Sequence, residues 1–226
     1  MKVLVVVAHP DDEVLGCGAT IARLAREGHE IHIAILAEGI TSRYSRRSEA
    51  DASLLRDLHA DSRQAASTLG AKELSLHGLP DNRLDTLPLL DVIKIVESLI
   101  EKISPSRIYT HHGGDLNVDH AVVNRAVLTG TRPVPGCPVR EVYLFEVPSS
   151  TEWAFQQFES SFRPNTFVDV GQTLEVKIHA MACYRSEARA FPHPRSAEAL
   201  RAGAQRWGSA VGCAAAEAFQ LVRAIV

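Results

Sequence analysis

Five consecutive apolar residues, Val3-Leu4-Val5-Val6-Val7, leave the start of the chain without a polar face. Such a run reads as a strand buried on both sides, as in parallel sheets. It meets the polar turn Ala8-His9-Pro10-Asp11-Asp12-Glu13 within one residue. Beyond the turn, helix-like and strand-like patterns alternate. Residues 15–26 carry a helical apolar stripe through Leu15, Ile21, Leu24 and Ala25, and Gly28 ends it. Ile31, Ile33 and Ile35 alternate over a second strand at 31–36. A helix is expected over 49–69, with Leu54, Leu55, Leu58, Ala65, Ala66 and Leu69 inward and Gly70 as cap. A short strand at 73–76 precedes a helix over 88–103, where Pro88 suits the first position. A strand at 107–110 and a helix at 119–128 follow.

The pattern then loosens. Strands are expected at 142–147 and 166–170, and helices at 173–184 and from the N-cap Ser196 to about residue 207. The last stretch, 219–226, fits a strand or a helix equally. Repeated βα units imply right-handed crossovers and a parallel sheet covered by helices. The expectation is one domain, residues 1–226: a Rossmann-like three-layer α/β/α fold with an irregular C-terminal third.

Composition narrows the function classes. The 226 residues are 46% hydrophobic and 23% charged, with a formal net charge of −3. That balance argues against nucleic acid or an anionic membrane as the main partner. Four separated cysteines form no CxxC pair and read as reduced thiols. No apolar stretch approaches the roughly 20 residues of a membrane span, so a cytoplasmic protein is expected.

The chemistry sits where strands end. Open α/β sheets bind ligands at the carboxyl edge of their strands, and strands one and four are neighbours in the common doubly wound order. The turn bearing His9 and Asp12 would then face the loop Thr110-His111-His112-Gly113-Gly114-Asp115-Leu116-Asn117-Val118-Asp119-His120. His9, Asp12 and His120 would make a two-histidine, one-carboxylate metal set with a position open to water, as in catalytic zinc sites. The same set suits ferrous iron. Each residue also has a plain reading: His9 as a helix-start residue, Asp12 as a first-turn carboxylate, His120 as a capped surface histidine.

The Ala-His-Pro-Asp-Asp-Glu turn after an apolar strand, the Gly-Gly-x-x-x-x-Asp-His loop, Gly78-Leu79-Pro80-Asp81-Asn82 and Pro192-His193-Pro194-Arg195-Ser196 together resemble the PIG-L/LmbE-like zinc-dependent N-deacetylases. That resemblance implies removal of acetyl from N-acetylated sugars or their conjugates, with one Zn²⁺ per chain held by His9, Asp12 and His120 and with Asp11 as general base. Zinc lowers the pKa of its water toward ~7 and polarises the amide carbonyl. Asp119 would orient a ligand imidazole or cap its helix.

Two positions depart from the family's pattern. Many relatives carry a histidine where this chain has Asn117, and some a tyrosine at Asp115. A carboxamide donates a hydrogen bond to an oxyanion but transfers no proton. His193 is the candidate replacement, with Arg195 beside it; otherwise His193 is a loop residue between prolines. Arg63 and Asp81 are candidate substrate contacts, along with Arg195, against a surface ion pair and an Asx-turn. Arg43, Arg46 and Arg47 read as a phosphate site or a solvated loop. Of His111 and His112, at most one should face the cleft.

The expected function is therefore a metal-dependent deacetylase of a small-molecule glycan or glycoconjugate; the oligomeric state stays open, with the looser C-terminal third as the candidate place for a homo-oligomer contact. The rival is a non-catalytic nucleotide- or glycan-binding module. Gly16-Cys17-Gly18 lacks the third glycine of a dinucleotide fingerprint, which weakens the dinucleotide version.

Overall fold

The computed structural model describes all 226 residues. Seven strands form one sheet: β1 (Lys2–Val7), β2 (Glu30–Ala37), β3 (Glu73–Leu79), β4 (Arg107–His111), β5 (Glu141–Phe145), β6 (Thr166–Asp169) and β7 (Ala216–Ala224). Their order is β3-β2-β1-β4-β5-β7-β6. The first five run parallel, whereas β7 is antiparallel to both β5 and β6. The helices are α1 (Asp12–Arg26), α2 (Ala52–Leu69), α3 (Leu89–Ile103), α4 (Val118–Gly130), α5 (Leu174–Cys183) and α6 (Ala197–Val211).

β1 is central, and its apolar run is fully buried. Val3, Val5 and Val7 pack into the core beneath α1, α2 and α5, while Leu4 and Val6 join the core beneath α3 and α4. Alternate residues of a strand face opposite sides, so two cores require an all-apolar strand. Each buried side chain contributes about 1.5–3 kcal/mol. The three-layer α/β/α architecture and the β1–β4 adjacency are as the sequence implies.

Differences fall at ends and in the last third. α1 begins at Asp12, three residues before its apolar stripe, because a first turn needs caps and charge rather than apolar residues. α2 begins at Ala52, where Asp51 caps it through the Ser53 amide; residues Arg47–Glu49 form a separate 3₁₀ turn. The ambiguous C-terminal stretch is strand β7, paired along both edges. In the register, Phe219 opposes Phe145, so Ala216–Ala218 run past the end of β5 at the carboxyl edge of the parallel strands.

α1 is broken at Cys17 (φ −147°, ψ 22°). A Cβ at Gly16 would collide with the Phe145 ring, so glycine lets the helix approach β5. The break frees backbone groups that a buried ion pair satisfies. Lys177 Nζ donates to the Leu15 carbonyl (2.8 Å) and to Glu217 Oε1 (2.7 Å). Glu217 accepts from the amides of Ala19 (3.2 Å) and Thr20 (2.7 Å). Buried helix groups without such partners would be costly.

Candidate active site

β1 and β4 end side by side, so the turn after β1 and the loop after β4 share one edge. The Ala8 amide donates to His111 Nε2 (2.8 Å) and ties the two together. Asp11 stands at the N-cap of α1 with φ 95°, yet its side chain makes no cap bond. A non-glycine residue held at positive φ stores roughly 1–3 kcal/mol of strain. The carboxylate is thereby free of its own helix and accepts from Arg195 Nη1 at 2.8 Å.

Asp12 is the hub. Its Oδ2 lies 3.3 Å from His9 Nδ1, 3.3 Å from His120 Nε2 and 3.5 Å from His111 Nε2. Potential ligand atoms of His9, Asp12 and His120 all fall within 4.8 Å of one another. The remaining ring nitrogens face carboxylates: Asp119 Oδ2 lies 3.0 Å from His9 Nε2, and Asp115 Oδ1 lies 3.1 Å from His120 Nδ1. This outer arrangement turns one nitrogen of each ring toward Asp12, as metal-binding imidazoles require. Asp115 is anchored by the hydroxyls of Ser150 and Thr151, and Asp119 also accepts from the Leu84 amide (2.9 Å).

The electrostatics express the same demand. Burial alone would lower the pKa of His9, but Asp119 and Asp12 raise it to about 10. His120 is likewise lifted to about 9 against burial, by Asp12 and Asp115. Burial would raise Asp12, but His120 and His111 hold it well below the usual carboxylate range. The carboxylates draw positive charge onto both rings, and a divalent cation meets that demand. Asp11 is different: burial pushes it up to about 7, against the pull of Arg195.

The surrounding cleft is open to solvent and mainly polar. Asp81 and Asn117 line it. Asp81 accepts from the Ser42 amide (2.9 Å) and sits 3.4 Å from His9 Nε2. Asn117 caps α4 through the Asp119 amide (2.9 Å), and its Nδ2 donates to Asn82 Oδ1 (3.0 Å). Arg195 lines the cleft with Nε committed to Ser149 (2.8 Å) and Nη1 to Asp11 and Glu187.

Two predicted residues stand elsewhere. Arg63 is exposed on α2, bonded to the carbonyl of His59 one turn back, and does not line the cleft. Arg43 does line the cleft, bonded to both oxygens of Glu187 at 2.7 Å. His193 is also outside the lining; its Nδ1 accepts from the Arg195 amide (3.1 Å), so it shapes the turn that delivers Arg195. Of the arginine trio, Arg43 and Arg47 are spent on Glu187 and Glu38. His111 is buried and stacked on His120 with centroids 4.0 Å apart, while His112 turns away to the Ser160 carbonyl (2.6 Å).

Sequence reasoning did not single out Asp115, Glu187 or the Ser149–Thr151 turn as parts of the site. Asp115 precedes His120 by five residues in the same loop, a signal within reach. Glu187 and Ser149 lie in irregular segments with no periodicity to place them.

Residues 4–130, more than half of the chain, match the PIG-L family model, described as GlcNAc-PI de-N-acetylase. The chain belongs to the PIG-L family. It is 32% identical over 190 residues to an uncharacterized deacetylase, YaiS, of Escherichia coli K12, covering 81% of this chain and 90% of the relative. Among solved structures it resembles N,N′-diacetylchitobiose deacetylase from Pyrococcus horikoshii, with TM-score 0.77, 21% identity, and 98% and 84% of the two chains covered. It also resembles GalB, a 4-carboxy-2-hydroxymuconate hydratase from Pseudomonas putida, with TM-score 0.76, 22% identity, and 100% and 97% covered. These two structural likenesses speak to fold alone; one fold carries both names, so the reaction has to be argued from the site.

Proposed function

We propose that this PIG-L family protein is a zinc-dependent hydrolase that removes acetyl from an N-acetylglucosaminide or related amino-sugar conjugate. The observation that carries the reading is the convergence of His9, Asp12 and His120 beside an unligated, Arg195-held Asp11. The donor set fits a catalytic rather than a structural zinc, since three protein ligands leave a position open. When bound, zinc would activate water and polarise the amide carbonyl.

The chain's own residues supply the rest. Asp115 and Asp119 hold the two ring nitrogens in place. Asp11 accepts the proton of the attacking water and returns it to the leaving amine. Burial brings its pKa near neutrality, which suits a group that must both take and give a proton. Arg195 keeps that carboxylate aimed while Glu187 balances its charge. Asn117 offers the second proton of its amide as an oxyanion donor. Asp81 and Arg43 face the sugar and its substituents. A cytoplasmic location remains part of the proposal. No helix of the chain is long and apolar enough to cross a membrane.

The test is amine release from a panel of N-acetylated sugars, nucleotide sugars and thiol glycoconjugates, with zinc present and after chelation. Activity lost to chelator and restored by zinc supports the reading. A purified chain that binds no transition metal even after zinc addition overturns it and favours the binding module.

A further inference from the structure

The catalytic cleft has one apolar corner. Ile40 and Leu58 are the only large hydrophobic side chains on its wall, and Pro10 and Gly39 adjoin them. Pro10 stands between His9 and Asp11, so the corner is built into the turn that carries the metal ligands. A Cβ on Gly39 would fall 3.0 Å from Pro10 Cδ and 3.2 Å from Leu58 Cδ2, so the ring and the leucine converge on one face of that glycine. Ile40 and Leu58 also belong to the core shared with α1 and α2, and they are only 8% and 2% exposed. The corner is therefore shallow, and its floor is packed core that yields little.

The backbone at Ile40 is a second, independent observation. Seven non-glycine residues have positive φ, and four of them, Asp11, Ile40, Asn82 and Ser149, line this cleft. Short polar side chains such as Asp and Asn tolerate that region, but a β-branched residue there is a true outlier. Ile40 has φ 62° and ψ −28°. Its neighbours hold it: the Glu38 amide donates to the Leu79 carbonyl (2.9 Å), the Thr41 hydroxyl to Glu38 Oε1 (2.8 Å) and the Ser42 amide to Asp81 Oδ2 (2.9 Å). Strain kept in place in this way gathers at ligand-binding sites. Neither metal binding nor proton transfer needs an isoleucine.

We propose that Ile40, with Leu58 and Pro10, seats the methyl of the scissile acetyl group and limits the length of acyl chain the site accepts. The inference rests on the hydrolase reading above and concerns the acyl half of that substrate. The sugar half carries hydroxyls that need partners, and the polar wall supplies them. The methyl makes no hydrogen bonds and gains only by leaving water against an apolar surface. The corner is the one such surface in the cleft. Each further methylene presses on packed core, and one methylene in a fixed pocket is worth roughly 10–200-fold in discrimination.

The experiment gives the zinc-loaded protein the methyl glycosides of N-acetyl-, N-propionyl- and N-butyrylglucosamine. In the parent, kcat/KM for propionyl should lie about tenfold or more below acetyl, and butyryl lower still. Ile40→Gly opens the corner with a residue that takes positive φ freely, and Leu58→Ala opens it from the other side. Both should bring butyryl to within about threefold of acetyl. A ratio of two substrates on one protein does not depend on how much of it is folded, so a destabilised variant still reports. An equilibrium arm uses acetate, propionate and butyrate, the acyl products, which are not consumed. Saturation-transfer NMR should show the parent holding acetate about tenfold tighter than butyrate, with the preference levelled or reversed in both variants. Hydrolysis with the same acyl preference in parent and variants overturns the inference and leaves the hydrolase reading standing. A carboxylate preference that moves in the variants, with no glycoside hydrolysed, keeps the acyl seat and fells the hydrolase reading. A parent that takes butyryl as well as acetyl, or that shows no saturable carboxylate signal, overturns the inference.

Discussion

Around His9 the ionisable side chains meet one another at the wall of an open cleft; around Glu217 they face the backbone of α1. Both groups lie at the carboxyl edge of the sheet. In the cleft, Asp11, Asp12, Asp81, Asp115 and Asp119 converge on two imidazoles and one arginine. In the mainly apolar hollow between α6 and the sheet, Lys177 and Glu217 repair a helix break and leave little unspent. A buried charge that serves the fold is closed by the fold. One that serves chemistry keeps directed capacity, here a carboxylate excess that calls for a cation.

Asp11→Asn tests the chemical half most severely. The carboxamide fits the same space and can still meet Arg195, but it takes no proton. We expect kcat to fall by roughly 10²–10⁴ with metal content unchanged by elemental analysis. Normal turnover would remove Asp11 from the mechanism.

Lys177→Met tests the structural half. It leaves Glu217 buried without its counter-charge and the Leu15 carbonyl without a donor. Breaking a buried pair from one side costs about 3–5 kcal/mol, read as a shift in urea unfolding. A loss under about 1 kcal/mol would mean water already reaches the pair.

Asn117 belongs to both halves, since it caps α4 and faces the cleft. Asn117→Ser keeps a capping oxygen and loses the amide donor. We expect stability to hold while kcat falls on the order of 10². Asn117→Ala should show the same kinetic loss plus about 1 kcal/mol of stability. An unchanged rate in the serine variant would leave Asn117 as a cap and nothing more.

What the sequence disclosed follows from how locally each feature is encoded. The strand β1 and the turn after it are contiguous, so their burial and charge were legible. The β1–β4 adjacency came from a general topology rule and brought His9 and His120 together without further data. Arg63, a substrate candidate against a surface role, stands on the exposed face of α2; helix phase decides which face a side chain takes, and one residue of phase moves it about 100°. Arg195 was found, but its role as the partner of Asp11 depends on a contact across 184 residues. The hollow was invisible for the same reason: its walls come from α1, α5, α6 and β7, and no stretch of sequence contains it.

Glu146 gives the smallest effect and the cleanest contrast with the cleft, because burial rather than a facing charge sets its titration. Burial raises its pKa above the ordinary 4.5, against the Trp207 hydrogen bond. The folded state therefore holds a proton that the unfolded chain releases. Its contribution to stability is complete below about pH 4.5 and is lost as pH rises toward the raised folded value. The slope over that window is at most roughly −1.4 kcal/mol per pH unit. Glu146→Gln keeps an acceptor for Trp207 Nε1 and cannot titrate. Urea midpoints at about pH 5 and pH 8 should show the parent losing ground to the variant as pH rises. If the difference stays flat, Glu146 is already hydrated, and water has entered the hollow; if it runs the other way, the acid is ionised against a cation there, and the apolar half of the comparison fails.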